Sequence, residues 1–111
     1  MRQRLEIKSA KSRKCITSQI LNAVRDELSI FDEEYRIDRD DYEHYSEITI
    51  QNGSYMFTWP EIDRVQQAFN KFYEKYGIRF MTLSIYATQT YTPTYNLPIS
   101  TPYIRISVNE K

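Results

Sequence analysis

Two glycines, Gly53 and Gly77, serve all 111 residues. A Walker A loop and a dinucleotide fingerprint each need more glycine than this within one short stretch, so neither phosphate-cradling device fits the chain. The single histidine, His44, is too few for a zincin pair, a two-histidine iron site or a His-x-His relaxase motif. The lone Cys15 excludes an internal disulfide and a cysteine zinc cluster, and agrees with a cytoplasmic setting. No run approaches the roughly 20 apolar residues of a membrane span, and no apolar stretch of a secretory signal follows the basic N-terminus. The reading is a soluble, globular protein whose residues 1–111 make one domain, long enough for one hydrophobic core.

Net charge is also lacking, because 15 basic residues balance 15 acidic ones. The balance hides a segregation along the chain. Arg2, Arg4, Lys8, Lys11, Arg13 and Lys14 face only Glu6 in the first 14 residues, whereas residues 15–47 hold ten acids against Arg25, Arg36 and Arg39. Asymmetry of this kind bears on partners rather than on fold.

Among what is present, "YSEITIQNGSYMFTW" (45–59) places β-rich runs on both sides of Asn52-Gly53, the dipeptide of a type I′ hairpin. That turn predicts Ile48, Ile50, Tyr55, Phe57 and Trp59 on a core face, with Tyr45, Glu47, Thr49, Met56 and Thr58 on the other. A helix is expected next, with Pro60 at its start, Glu61 and Asp63 in its first turn, an Ile62-Val65-Phe69-Phe72-Tyr76 stripe and a Gly77 stop. Helical spacing of Ile16, Ile20, Val24, Leu28 and Phe31 predicts an earlier helix over about 17–31. Further strands are expected at "RLEIK" (4–8), at 78–91 and at 103–108, the segment "TPTYNLPISTP" (92–102) being a loop. The predicted order is β-α-β-β-α-β-β: an α+β fold of ferredoxin-like type, with a split β-α-β-β-α-β core, an extra C-terminal strand, and two helices on one face of an antiparallel sheet. No internal repeat is evident.

Several chemistries fail on their spacing. An EF-hand loop from Asp38 needs Gly at its sixth position and Glu at its twelfth, where the chain has Glu43 and Thr49. Glu6 and Lys8 resemble half of a nuclease E-x-K pair but lack an acid upstream. Cys15 lies behind Arg13 and Lys14, a setting that can activate a thiol, although nothing in the spacing brings His44 to it. An RNA-binding sheet is disfavoured because the expected register turns Tyr55, Phe57 and Trp59 inward, leaving only Tyr86, Tyr103 and Arg105 as exceptions on a polar open face.

The segment "DEEYRIDRDDYEHYSE" (32–47) then stands out, with eight carboxylates and three tyrosines in 16 residues. Read as the connection after the first helix, it suits a surface that meets a basic partner through Asp32, Glu33, Glu34, Asp38, Asp40, Asp41, Glu43 and Glu47, with Tyr35, Tyr42 and Tyr45 as amphipathic anchors. The expectation is a non-enzymatic inhibitor or adaptor, without cofactor or metal, that covers a basic, nucleic-acid-binding site on another protein, on the pattern of small viral anti-defence proteins of the anti-CRISPR kind. The alternatives are a weak RNA or single-stranded DNA binder and a minimal metal-dependent nuclease. Pairing of an exposed final strand with a second copy is a further expectation.

Overall fold

Ser9 opens the first helix by accepting the backbone N–H of Ser12 on its hydroxyl at 3.2 Å. Helix α1 runs Ala10–Leu28 and buries Arg13, Ile16, Thr17, Ile20, Val24 and Leu28 along one stripe. It therefore starts about two turns before residue 17, because a charged residue, Arg13, extends the apolar row. Phe31 lies beyond its end. The second helix, α2, runs Trp59–Tyr76 with the expected Pro60 in its first turn and Gly77 at φ 82°, and Thr58, expected on a strand, instead closes a capping box with Glu61. At Gly77 the left-handed backbone and the packed Arg4 side chain both disfavour a Cβ.

The computed structural model describes residues 4–53, 56–91 and 98–110, the backbone alone at 87–91 and 98–101. Strands β1 (Tyr35–Asp41), β2 (Tyr45–Asn52), β3 (Met81–Tyr91) and β4 (Pro98–Asn109) form one antiparallel sheet in the order β1-β2-β4-β3. The helices pack on each other and on the same side of this sheet. Alternation fixes the inner face: Ile48, Ile50, Met81, Ile104, Ile106 and Val108 are fully buried, each worth about 1.5–3 kcal/mol.

The protein is thus α+β with two helices and a four-stranded antiparallel sheet, but the described elements run α-β-β-α-β-β. Residues 4–8 form no strand, although Ile7 is buried and Leu5 donates its N–H to Lys75 O at 2.7 Å. The ferredoxin-like order is therefore not reproduced. Two αββ units instead meet through their last strands, a repeat of architecture without a visible repeat of sequence.

The expected hairpin at Asn52-Gly53 is the main correction. β2 pairs backwards with β1, Ile37 opposite Ile50 and Arg39 opposite Ile48. Asn52 ends β2 with its amide donating to Glu61 Oε2 at 2.7 Å, and Gly53 N–H extends the ladder to Glu34 O. A buried carboxylate claims the asparagine, and residues 56–58 form no strand that could pair back on β2. Trp59 consequently begins α2 and is 81 % exposed, Thr58 caps that helix, and Phe57 packs against the core. Tyr55 lies outside the described residues. The final strand β4 is interior, so among the described residues the free edges are β1 and β3.

Candidate functional site

The acidic segment is not a loop. It is the edge hairpin β1–β2, closed by Tyr42, Glu43 and His44, with Tyr42 N–H donating to Tyr45 O at 2.8 Å. What holds it is Arg13, 1 % exposed, reaching across from α1. Its guanidinium donates to Ser46 Oγ at 3.1 Å, Glu43 O at 3.0 Å, Tyr42 O at 2.8 Å and Glu110 Oε2 at 2.7 Å. Sequence reading assigned Arg13 to a basic patch. Its sole signal there was its place, three and four residues before Ile16 and Thr17 on the buried stripe.

Strand alternation sorts the candidate residues into separate groups. Asp38 and Asp40 take the open face of the sheet, away from the helices, and Glu47 stands opposite Asp40 on the same face. Asp41 takes the inner side, accepting Ser46 Oγ at 2.6 Å and Arg39 Nε at 3.2 Å. The Ser46 hydrogen bond, with that from Arg39, holds its carboxyl below the ordinary range against a weaker upward push from burial. Tyr35 also turns inward, where its hydroxyl donates to Glu61 Oε2. Burial and that carboxylate push the Tyr35 phenol well up. Tyr35 and Asp41 therefore each serve a contact within the chain, Tyr35 half-buried and Asp41 still exposed.

Asp32, Glu33 and Glu34 are exposed at the opposite end of β1, about 23 Å from the closing turn by strand geometry, where they border Phe31 and Gly53. Glu43 is exposed on the turn itself. Tyr42 and Tyr45 stack at 4.6 Å with an interplanar angle of 19°, and both remain exposed. The Asp40 charge, then burial and Glu47, raise the Tyr42 phenol, so these groups share one patch.

The open face continues onto β4 and β3. Tyr86 and Tyr103, opposite each other, stack at 5.0 Å, and Arg105 lies over both rings at 5.1 and 5.5 Å. Arg105 Nε is buried without a hydrogen bond, its nearest carboxylate being Glu47 Oε2 at 3.9 Å. Glu47, Thr49, Thr82, Ser84 and Ser107 occupy this face as expected.

The other chemistries find little geometry. Among the described residues no three of His, Cys, Asp and Glu form a group fit to hold a metal ion, since alternation sends Asp41 to the other face from Asp38 and Asp40. With residues 4–8 outside any strand, Glu6 and Lys8 do not flank a sheet-borne site. Cys15 lies past the first turn of α1, beyond the strongest reach of the helix dipole, and its Sγ accepts from Gln19 Nε2 at 3.5 Å. His44 Nδ1 instead lies 3.0 Å from Glu110 Oε1, and this contact, followed by the Glu43 charge, raises its pKa. No helix among the described residues is long and apolar enough to cross a membrane. No family model matches the sequence, and neither a curated protein nor a solved structure matches it.

Proposed function

We propose that this chain is a non-enzymatic inhibitor or adaptor, acting in the cytoplasm, whose acidic hairpin face covers a basic, nucleic-acid-binding site on a partner protein. The observation that carries the reading is the row of Asp38, Asp40 and Glu47 on the open sheet face, bordered by the exposed Tyr42–Tyr45 stack. Strand geometry holds Asp38 and Asp40 about 6.6–7 Å apart, so charge is presented at fixed spacing with little ordering cost. Carboxylates there would stand where phosphates stand. Arg36 bridges Asp38 at 2.9 Å, but both side chains are exposed, and a partner's cation can replace so weak a pair.

The test is affinity capture from a host lysate with the wild type and with Asp38→Lys combined with Asp40→Lys. A basic protein retained by the wild type and lost by a normally melting variant is the expected result. Recovery of nucleic acid alone would overturn the reading.

The Tyr86–Tyr103–Arg105 cluster favours a second reading, weak binding of RNA or single-stranded DNA. It ranks below the first because Glu47 already neighbours Arg105, and because buried Arg13 is withdrawn from the basic N-terminal stretch. Mobility shifts that weaken steeply with salt would support it.

A further inference from the structure

The two free edges of the sheet are unlike. β1 carries Arg36, Asp38, Arg39, Asp40 and Asp41 among its seven residues, and charge is one of the ways natural proteins keep a sheet edge from pairing. β3 has no charge, proline or glycine in its eleven residues, "MTLSIYATQTY". It also has no bulge, because its pairing with β4 runs unbroken from Met81–Val108 to Tyr91–Pro98. An edge of that length spans about 36 Å of unpaired N–H and C=O groups.

β3 and β4 also outrun the rest of the sheet. β2 meets β4 only from Ile104 to Asn109, so the pairs from Tyr86–Tyr103 to Tyr91–Pro98 project as a two-stranded ribbon. Such a ribbon is marginal in water. At its root Ile85 has the parity of the buried residues, yet it is 51 % exposed because no helix reaches over it. Beside the helix-backed half of β3, a groove of about 480 Å³ is lined by Phe69, Tyr73, Met81 and Leu83, with Ile78 69 % exposed at its margin.

We infer that β3 pairs antiparallel with β3 of a second copy of this chain, joining two four-stranded sheets across a two-fold axis. Two-fold pairing sets a strand against itself, so any charge it carried would lie close to its own like charge. β3 meets that condition and β1 does not. The same operation lays each projecting ribbon beside the helix-backed half of the other β3, so both ribbons gain a third strand at once and both grooves are covered. This assembly is independent of the acidic-face reading, since it leaves β1 and the open face accessible.

Sedimentation velocity over a concentration series tests it, with a species of twice the 13.4 kDa chain mass expected for the wild type. Ser84→Lys with Thr88→Lys, and separately Ser84→Glu with Thr88→Glu, positions that this register sets opposite each other across the axis, should each weaken self-association by about tenfold or more, and mixing the two variants should restore a dimer. On the wild type alone, amides of residues 82–91 should gain exchange protection as concentration rises. A wild type that stays monomeric up to about 1 mM, or a dimer that neither charged variant disturbs, would overturn the inference.

Discussion

The two hairpins of this molecule have the same place in their αββ units and opposite constitutions. β1–β2 carries five carboxylates in 18 residues, closes in three residues, and is clasped by Arg13 from α1 and by Glu110 from the end of β4. β3 and the first seven residues of β4 lie in a stretch of 25 residues, 80–104, without one charged side chain, and the outer half of this hairpin leaves the helices behind. One hairpin is fixed by polar bonds from distant elements, and the other has an outer half that only its own two strands hold. The contrast is between a charged face held rigid and a neutral edge left unpaired.

Breaking the clasp should have the largest effect. Arg13→Ala removes the donor to two backbone carbonyls, Ser46 and Glu110, leaving them with reduced partners in a largely buried setting. A loss of about 3–5 kcal/mol is expected in urea unfolding. Arg13→Lys should recover only part of it, because an ammonium cannot fork among these acceptors. If the clasp is what makes the first hairpin rigid, the amides of 35–52 should lose exchange protection more than those of 81–91.

The second αββ unit is tied to the first hairpin by Glu61, which is 3 % exposed. Its Oε2 accepts the Tyr35 hydroxyl and the Asn52 amide, while Oε1 accepts the Thr58 N–H and hydroxyl, both at 2.9 Å. Glu61→Ala should cost about 2–3 kcal/mol, combining a lost cap with orphaned donors, and Tyr35→Phe about 1 kcal/mol. Burial raises the Glu61 pKa, but the bonds from Tyr35, Thr58 and Asn52 outweigh it and the net shift is downward. With the folded value depressed, this stabilisation is complete above the ordinary value of about 4.3 and disappears as pH falls through the folded value. An acid titration of the urea midpoint should show that loss in the wild type and a shallower one in Glu61→Gln.

A smaller effect separates the root of the second hairpin from its tip. At concentrations low enough to keep single chains apart, the amides of Ile99, Ser100, Thr101 and Tyr103 should exchange about ten- to hundredfold faster than those of β4 at 104–109, which lie between two strands. Equal protection along β4 would mean that the ribbon is held by something within its own chain.

These contrasts also explain what the sequence made legible. α2 was readable from Pro60 onward because its signals are local: Pro60, Glu61, an apolar stripe and Gly77 all lie within 18 residues. The faces of β2, β3 and β4 were readable because alternation needs no knowledge of the partner strand. β1 was not, since of its inward positions Tyr35, Ile37, Arg39 and Asp41 only two look like core, and the others are satisfied by Ser18, Lys14 and Ser46 on other elements. Asn52-Gly53 misled for the same reason: Glu61, nine residues on, accepts the asparagine amide. Where a polar residue is bound at long range, local pattern gives the wrong element. Arg13, whose partners lie 29 to 97 residues away, is the extreme case.

The smallest effect expected concerns His44, at the closing turn. Its ring is largely exposed, and its raised pKa comes from Glu110 and then Glu43, with burial and Arg13 opposing. A folded value above the unfolded one means that protonated His44 stabilises the clasp fully below the ordinary value of about 6.5, and that this help is lost as pH rises through the raised value. Asp41 and Glu61 stay ionised throughout that window, because their own values are shifted downward. The urea midpoint of the wild type should therefore fall slightly as pH is raised from about 6 to 8, and that of His44→Gln should stay level. The sign matters more than the size: a wild-type midpoint rising over the same range would place the titrating group elsewhere and detach His44 from the clasp that distinguishes the first hairpin from the second.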